Sequence, residues 1–453
     1  MKSLFRFAVT VATIGLVVAC SKHDTKSEPV PTDGLTSFFH SRLDGSSAAY
    51  DVDSLITLSD IESCRNDVWQ SWRLALRSYD ETALVELGPL EERRVGSWTL
   101  PASLEPSAVM RYVYGSKGAR SANGYPLFVY CHGSGAPDTE WSTGQTLALQ
   151  FKDGPSAYFI PRIPNTGAYY RWWQRSKQYA WEKLLRLALA SGDIDPDRIY
   201  LFGISEGGYG TQRLASFYAD YLAGAGPMAG GEPLKNAPAE NCRNIAFSLR
   251  TGALDGGFYR NVLTGYTQER FDELESLNPG AFVHNVELVP DMGHGIDYDK
   301  TTPWLRQYAR NHHPKNVDWE NFEMDGRMRD GFYNIYVLSH PDGGRSRTYY
   351  RMSVADNAVT LTAERVAYTT TEVRDGIEMA FSRTYTPVTD GKLLIYLGPE
   401  LVDLSREVTL TVNGRQVFKG ILSANHKHMV NSCAAFFDPD RIYPAAIEVD
   451  LSK

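Results

Sequence analysis

Ser205 stands in the run Gly203-Ile204-Ser205-Glu206-Gly207, which spells G-x-S-x-G. A serine hydroxyl attacks well only when a base takes its proton. The pattern solves the problem of presentation. It makes a sharp turn between a strand and a helix and holds the serine exposed in a strained conformation. The flanks predict that context, with "RIYLF" before the turn as a strand and "GGYGTQRLASFYADYL" after it as a helix.

The base is expected downstream. His294 lies in a glycine-flanked loop of "NVELVPDMGHGIDYD", after the last strand of the alternating region. His284 opens a strand, His312 and His313 fall in a later bridge, and His426 and His428 lie in a β-rich tail, so His294 is assigned. The base needs an acid to fix its tautomer and to stabilise the imidazolium. Asp255, in the Gly-rich loop of "NIAFSLRTGALDGG", follows a strand and lies between Ser205 and His294. Asp291, Asp297 and Asp299 are its rivals, all close to the histidine in sequence. A developing oxyanion needs fixed donors. The backbone N–H of Glu206 is one expectation. The other is Gly133 or Ser134, in the loop His132-Gly133-Ser134-Gly135 after an earlier strand. His132 is expected to brace that loop. The Glu206 side chain is assigned no role beyond favouring a helix start.

Tyr169, Tyr170, Trp172 and Trp173 cluster between a strand and a helix, with Arg171 among them. They read as an aromatic wall for substrate with a cation for an anion, or equally as helix-start residues packing on the domain. No C-x-x-C or H-E-x-x-H spacing occurs, so no zinc site is expected.

The elements that position these residues divide the chain into regions. Residues 35–93 read as a helical extension, with Ile61, Val68, Trp72, Leu74 and Leu76 at helical spacing. Strands and helices alternate over 94–302, which predicts an α/β domain with a mostly parallel sheet. Residues 303–331 read as an irregular or helical bridge. From 332 to 453 nearly everything alternates like strand, and Asn413-Gly414 signals a hairpin. That tail is expected to be β-sandwich-like.

The chain has 453 residues, 43% hydrophobic, with a formal net charge of -8. The length suits two domains or one large domain with an appendage, and the acidic balance argues against nucleic acid as a partner. At the N-terminus, Lys2 and Arg6 precede a short apolar run ending at Cys20. It is too short to span a bilayer and has the form of a signal peptide over 1–19. Val17-Val18-Ala19-Cys20 resembles the lipobox of bacterial lipoproteins. That resemblance implies lipidation at Cys20, a tether over 20–34 and anchoring at the outer membrane or cell surface. Cys64, Cys131, Cys242 and Cys433 remain. Export permits disulfides between them, though Cys131 ends an apolar run and reads as a buried thiol.

With its Ser…Asp…His order, the stretch 94–302 resembles the α/β-hydrolase fold. "DIDPDRIYLFGISEGGYGT" and "YCHGSGAP" are similar to exported esterases and peptidases near the dienelactone-hydrolase-like and polyhydroxybutyrate-depolymerase-like branches. The resemblance covers about half the chain. It implies an acyl-serine mechanism without a cofactor. The expected activity is cleavage of a small-molecule or polymer ester, with a carbohydrate-linked ester as one candidate. A serine peptidase of the same fold and a surface glycan-binding or partner-binding protein with an inert core are the alternatives.

Overall fold

The structure, a computed structural model, describes residues 32–453. The expected signal peptide over 1–19, the expected lipidation at Cys20 and the expected tether as far as residue 31 lie outside the described residues.

In chain order the helices are α1 (Thr32–Leu43), α2 (Ile61–Ser78), α3 (Pro137–Gln150), α4 (Arg175–Ser191), α5 (Glu206–Tyr218), α6 (Arg260–Leu277), α7 (Thr301–Leu305) and α8 (His426–Phe436). The first strands are β1 (Gly88–Pro89), β2 (Val95–Thr99), β3 (Val109–Lys117), β4 (Tyr125–Cys131), β5 (Ser156–Pro161), β6 (Ile194–Ile204), β7 (Gly224–Met228), β8 (Ala246–Gly252) and β9 (His284–Val289). They build one sheet in the order β1-β3-β5-β4-β6-β7-β8-β9, with β2 also paired to β3. From β5 to β9 every pairing is parallel. Strand β3 runs antiparallel to β5, and β2 antiparallel to β3.

The sequence explains this arrangement. Phe128–Cys131 of β4, Ala157–Ile160 of β5 and Ile199–Phe202 of β6 are buried on both faces. Continuous apolar runs of that kind belong to parallel strands covered by helices on both sides. Helix α4 buries Ala180, Trp181, Leu184, Leu185 and Ala188 on one face, the helical spacing of a core-facing stripe. It ends at Gly192 with φ 80°, a left-handed cap that glycine adopts without strain.

The remaining strands are β10 (Asn316–Asn321), β11 (Gly331–Phe332), β12 (Ile335–Ser339), β13 (Arg347–Ala355), β14 (Ala358–Arg374), β15 (Ile377–Pro387), β16 (Lys392–Leu397), β17 (Val408–Val412), β18 (Arg415–Gly420) and β19 (Ala445–Asp450). One sheet runs β10-β13-β14-β17-β18 with β15 on β14, and a second runs β11-β12-β16-β19. They meet where Trp319 of β10 stacks on Phe332 of β11, ring centroids 5.3 Å apart. Asn413 and Gly414 join β17 to β18 with φ 47° and 81°, the positive angles of a type I′ turn.

Three details differ from the sequence reading. Leu74 is 51% exposed and lies on the outer face of α2. Strand β10 begins inside the 303–331 stretch and pairs with β13. Helix α8 interrupts the β-rich tail, capped by the Asn425 side chain, which accepts from the Lys427 N–H at 3.0 Å.

The helical extension and the tail are both tied to the large sheet's domain. Trp72 of α2 meets Phe39 of α1 edge-on at 5.2 Å, and α2 also contacts α8. Arg73 donates to the Ala190 carbonyl of α4 at 2.8 Å. Deeper in the molecule, Arg441 binds Asp220 at 2.6 Å and Asp438 at 2.7 Å, all three side chains fully buried. Arg329 and Arg310 complete this network through Asp220 and Asp438. The long β14–β15 hairpin extends toward α6. The Tyr266 hydroxyl donates to Glu372 at 2.7 Å, and the Tyr259 hydroxyl donates to Asp375 at the hairpin tip.

Candidate active site

Ser205 sits between the end of β6 and the start of α5 with φ 56° and ψ -115°. A non-glycine residue in that region is strained and persists only where its surroundings enforce it. The enforcement is visible. The Ser205 N–H donates to the Met228 carbonyl at 2.9 Å. At Gly207 a Cβ would run into the Cys131 carbonyl oxygen, and at Gly203 it would meet the backbone of Gly207 and Cys131. Only glycine lets α5 start this close to β4 and β6.

The structure brings Ser205, His294 and Asp255 into one chain of hydrogen bonds. His294 Nε2 lies 3.0 Å from Ser205 Oγ, and its Nδ1 lies 2.7 Å from Asp255 Oδ2. Asp255 follows β8 and is buried, whereas the His294 side chain is 46% exposed on the loop after β9. Asp291, Asp297 and Asp299 lie on that same loop, and among the described contacts none reaches the His294 ring.

Arg260, in the first turn of α6, grips the Asp255 carboxylate with two nitrogens at 2.6 and 2.8 Å. Burial pushes the Asp255 carboxyl up, but the hydrogen bonds from Arg260 and His294 outweigh it and hold the group below its ordinary value. The Asp255 carboxylate is therefore kept ionised, the state in which a carboxylate can stabilise an imidazolium. Sequence reasoning did not single out Arg260, because an arginine at a helix start carries no distinguishing pattern.

The loop 132–135 follows β4. Gly133 is the close neighbour of the serine, since a Cβ on it would stand 3.5 Å from the Ser205 Cβ. Ser134 is exposed beside it. Glu206 opens α5, and the first N–H groups of a helix have no partner within it. His132 is fully buried. Its Nε2 accepts from the Ile163 N–H at 3.1 Å, which leaves Nδ1 to donate to the Gly133 carbonyl at 2.8 Å. Burial drives this imidazole down to about 4, so it stays neutral and acts as a brace.

The aromatic cluster divides. The Tyr170 hydroxyl donates to the Gly133 carbonyl at 2.8 Å, and Trp172 Nε1 donates to the His132 carbonyl at 2.9 Å. Both side chains are buried, so they hold the 132–135 loop from behind. Arg171 and Trp173 face a cleft of about 490 Å³ beside Glu206, and Tyr169 lies outside it. Polar groups turned inward from a segment that reads as a wall leave no periodicity to betray them.

The four remaining cysteines are unpaired, and Cys131, Cys242 and Cys433 are buried. No described helix is long and apolar enough to cross a membrane.

The sheet order, the strained serine turn and the Ser…Asp…His chain order are those of an α/β-hydrolase fold, here with a β-rich C-terminal part. No family model matches the chain. It is 38% identical over 80 residues to poly(3-hydroxyalkanoate) depolymerase C of Paucimonas lemoignei, covering 17% of this chain and 19% of that protein. The match thus spans less than a fifth of that curated relative. Among solved structures, a thermostable esterase is similar with TM-score 0.36 and 18% identity, over 49% of this chain and 64% of the other. A poly(3-hydroxybutyrate) depolymerase of Bordetella parapertussis is similar with TM-score 0.35 and 14% identity, over 48% and 86%.

Proposed function

We propose that the chain is an exported serine hydrolase that cleaves an ester through an acyl-serine intermediate. The observation that carries this reading is the hydrogen-bond chain from Ser205 Oγ through His294 to Asp255. His294 Nε2 takes the Oγ proton as Oγ bonds to the carbonyl carbon. The resulting oxyanion is held by the N–H of Glu206 and by an N–H of Gly133 or Ser134. Collapse breaks the bond to the alcohol oxygen, which leaves with the proton from His294. Water then attacks the acyl-serine, His294 takes its proton, and the acid departs as Ser205 recovers its own. Asp255 remains ionised throughout and orients the imidazole.

In this reading residues 94–302 are the catalytic domain, and the β-rich part, which begins at β10 and is tied to that domain by the Arg441 network, shapes access to it. Residues 1–19 direct export and Cys20 carries a lipid anchor. Palmitate incorporation that vanishes in Cys20→Ala tests the anchor, and incorporation unaffected by the change contradicts it. Esterase action is supported by the named activity of the similar depolymerase of Paucimonas lemoignei. The test is the rate on p-nitrophenyl acetate against that on a peptide p-nitroanilide. Ester turnover that Ser205→Ala abolishes is expected. Anilide turnover without ester turnover would favour the peptidase reading.

A further inference from the structure

A cleft at the start of α5 holds the side chain of Glu206, the residue that follows Ser205 in the chain. One wall is Arg171 and Trp173, and the other is Gly376–Glu378 at the tip of the β14–β15 hairpin. The β-rich part therefore reaches the cleft around Glu206, held there by the Tyr259 and Tyr266 contacts to the hairpin. The Glu206 side chain takes no part in the mechanism above. Its Oε1 is buried with no hydrogen-bond partner, and its Oε2 lies 3.4 Å from Arg171 Nη1. A buried acceptor left unpaired is costly, which points to a partner the chain does not itself supply. Burial also pushes its carboxyl up to about 7.

The other charges in the cleft are already matched. Arg213 binds Glu232 through two nitrogens at 2.7 and 3.0 Å, and Glu378 binds Lys235 at 2.9 Å. Arg213 also lies over the Trp173 ring at 4.0 Å. A cationic ligand would meet the guanidinium groups of Arg171 and Arg213. An anionic one would meet Glu206 itself. What the cleft lacks is one neutral donor, next to aromatic and aliphatic surface at Trp173, Phe258 and Ile377.

Resting on the ester-hydrolase reading, we propose that this cleft is a specificity subsite for a neutral, hydroxyl-bearing part of the substrate. Glu206 Oε1 accepts the hydroxyl, and the hairpin tip closes the far side. The hydroxyl can belong to the alcohol portion, as in an acetylated sugar, or to the acyl portion, as in a hydroxy acid ester.

The test compares three esters: a mono-acetylated methyl xyloside, p-nitrophenyl 3-hydroxybutyrate and p-nitrophenyl butyrate, which has no hydroxyl. The readout is kcat/KM of each hydroxylated ester divided by that of the butyrate. Glu206→Leu is expected to lower this ratio about tenfold or more for the ester whose hydroxyl fills the site. Glu206→Gln, which keeps an acceptor oxygen, should remain within about threefold of wild type. Ile377→Trp, at the half-buried start of β15 on the cleft's far wall, narrows the cleft and should raise KM for that same ester. Turnover of the esters with ratios unchanged in Glu206→Leu and Ile377→Trp overturns the subsite. Failure of the folded wild type to turn over any ester overturns instead the reading on which it rests.

Discussion

Arg260 clasps Asp255 from within α6, with Nη2 2.6 Å from Oδ1 and Nε 2.8 Å from Oδ2. The same Oδ2 receives the His294 contact at 2.7 Å. Arg260 thus fixes where the acid can stand and keeps it charged. Lysine has no planar fork and cannot replace both bonds. We expect Arg260→Met to lower kcat by up to about a hundredfold, the cost of misplacing a catalytic group by about 1 Å. Its loss also removes the bonds that hold the Asp255 carboxyl below its ordinary value. A variant with the wild-type rate would show that Arg260 has no positioning role.

Asp255 and Asp291 make opposite predictions. Asp255 is buried against His294, while Asp291 is exposed in a turn with φ 59°. Asp255→Asn should lower kcat by about 10⁴, because the amide favours the wrong imidazole tautomer. Asp291→Asn should leave kcat near wild type. Steady-state kinetics on both variants, with circular dichroism to check folding, decide between the two acids.

Glu206 predicts a pH-dependent stability. In the unfolded chain its carboxyl ionises near 4.5, whereas in the folded protein it holds its proton to about 7. Between those values the folded state binds more protons, so this group's contribution to stability falls as pH rises through that window. Glu206→Gln removes the effect. Its Tm relative to wild type should be higher at about pH 8 than at about pH 5. An equal difference at both would place the ionisation of Glu206 outside the window.

Arg441 predicts that the tail and the catalytic region unfold together. Its guanidinium is fully buried between Asp220, which follows α5, and Asp438, which follows α8. Arg441→Met leaves two buried carboxylates with fewer partners. Removing one member of such a network costs about 3–5 kcal/mol. A single calorimetric transition at lower temperature is expected. Two separated transitions, or an unchanged one, would contradict this coupling.

Much of the architecture was legible because it rests on local rules. The both-sided burial of β4, β5 and β6 is written as apolar runs. The serine turn is written as glycines at 203 and 207, where any side chain would meet backbone. The Asn413-Gly414 hairpin is written in two residues. Other features depend on partners far away in sequence. Helix α8 sits in a segment surrounded by strands, and its one local sign is the Asn425 cap. Trp172 and Tyr170 have the composition of a binding wall, and only the fold reveals that their polar ends turn inward to the 132–135 loop. Arg260 comes to Asp255, and the hairpin tip to the Glu206 cleft, from separate elements. No spacing in the chain encodes either meeting.

The central claim is that Ser205 is a nucleophile activated by His294. It is tested most directly by the intact mass of the folded protein after treatment with a fluorophosphonate. One covalent adduct is predicted, mapping by peptide sequencing to Ser205. It should be absent in Ser205→Ala and formed far more slowly in His294→Ala. Folded wild-type protein that gains no adduct, or gains one at another residue with Ser205 unmodified, would contradict the account.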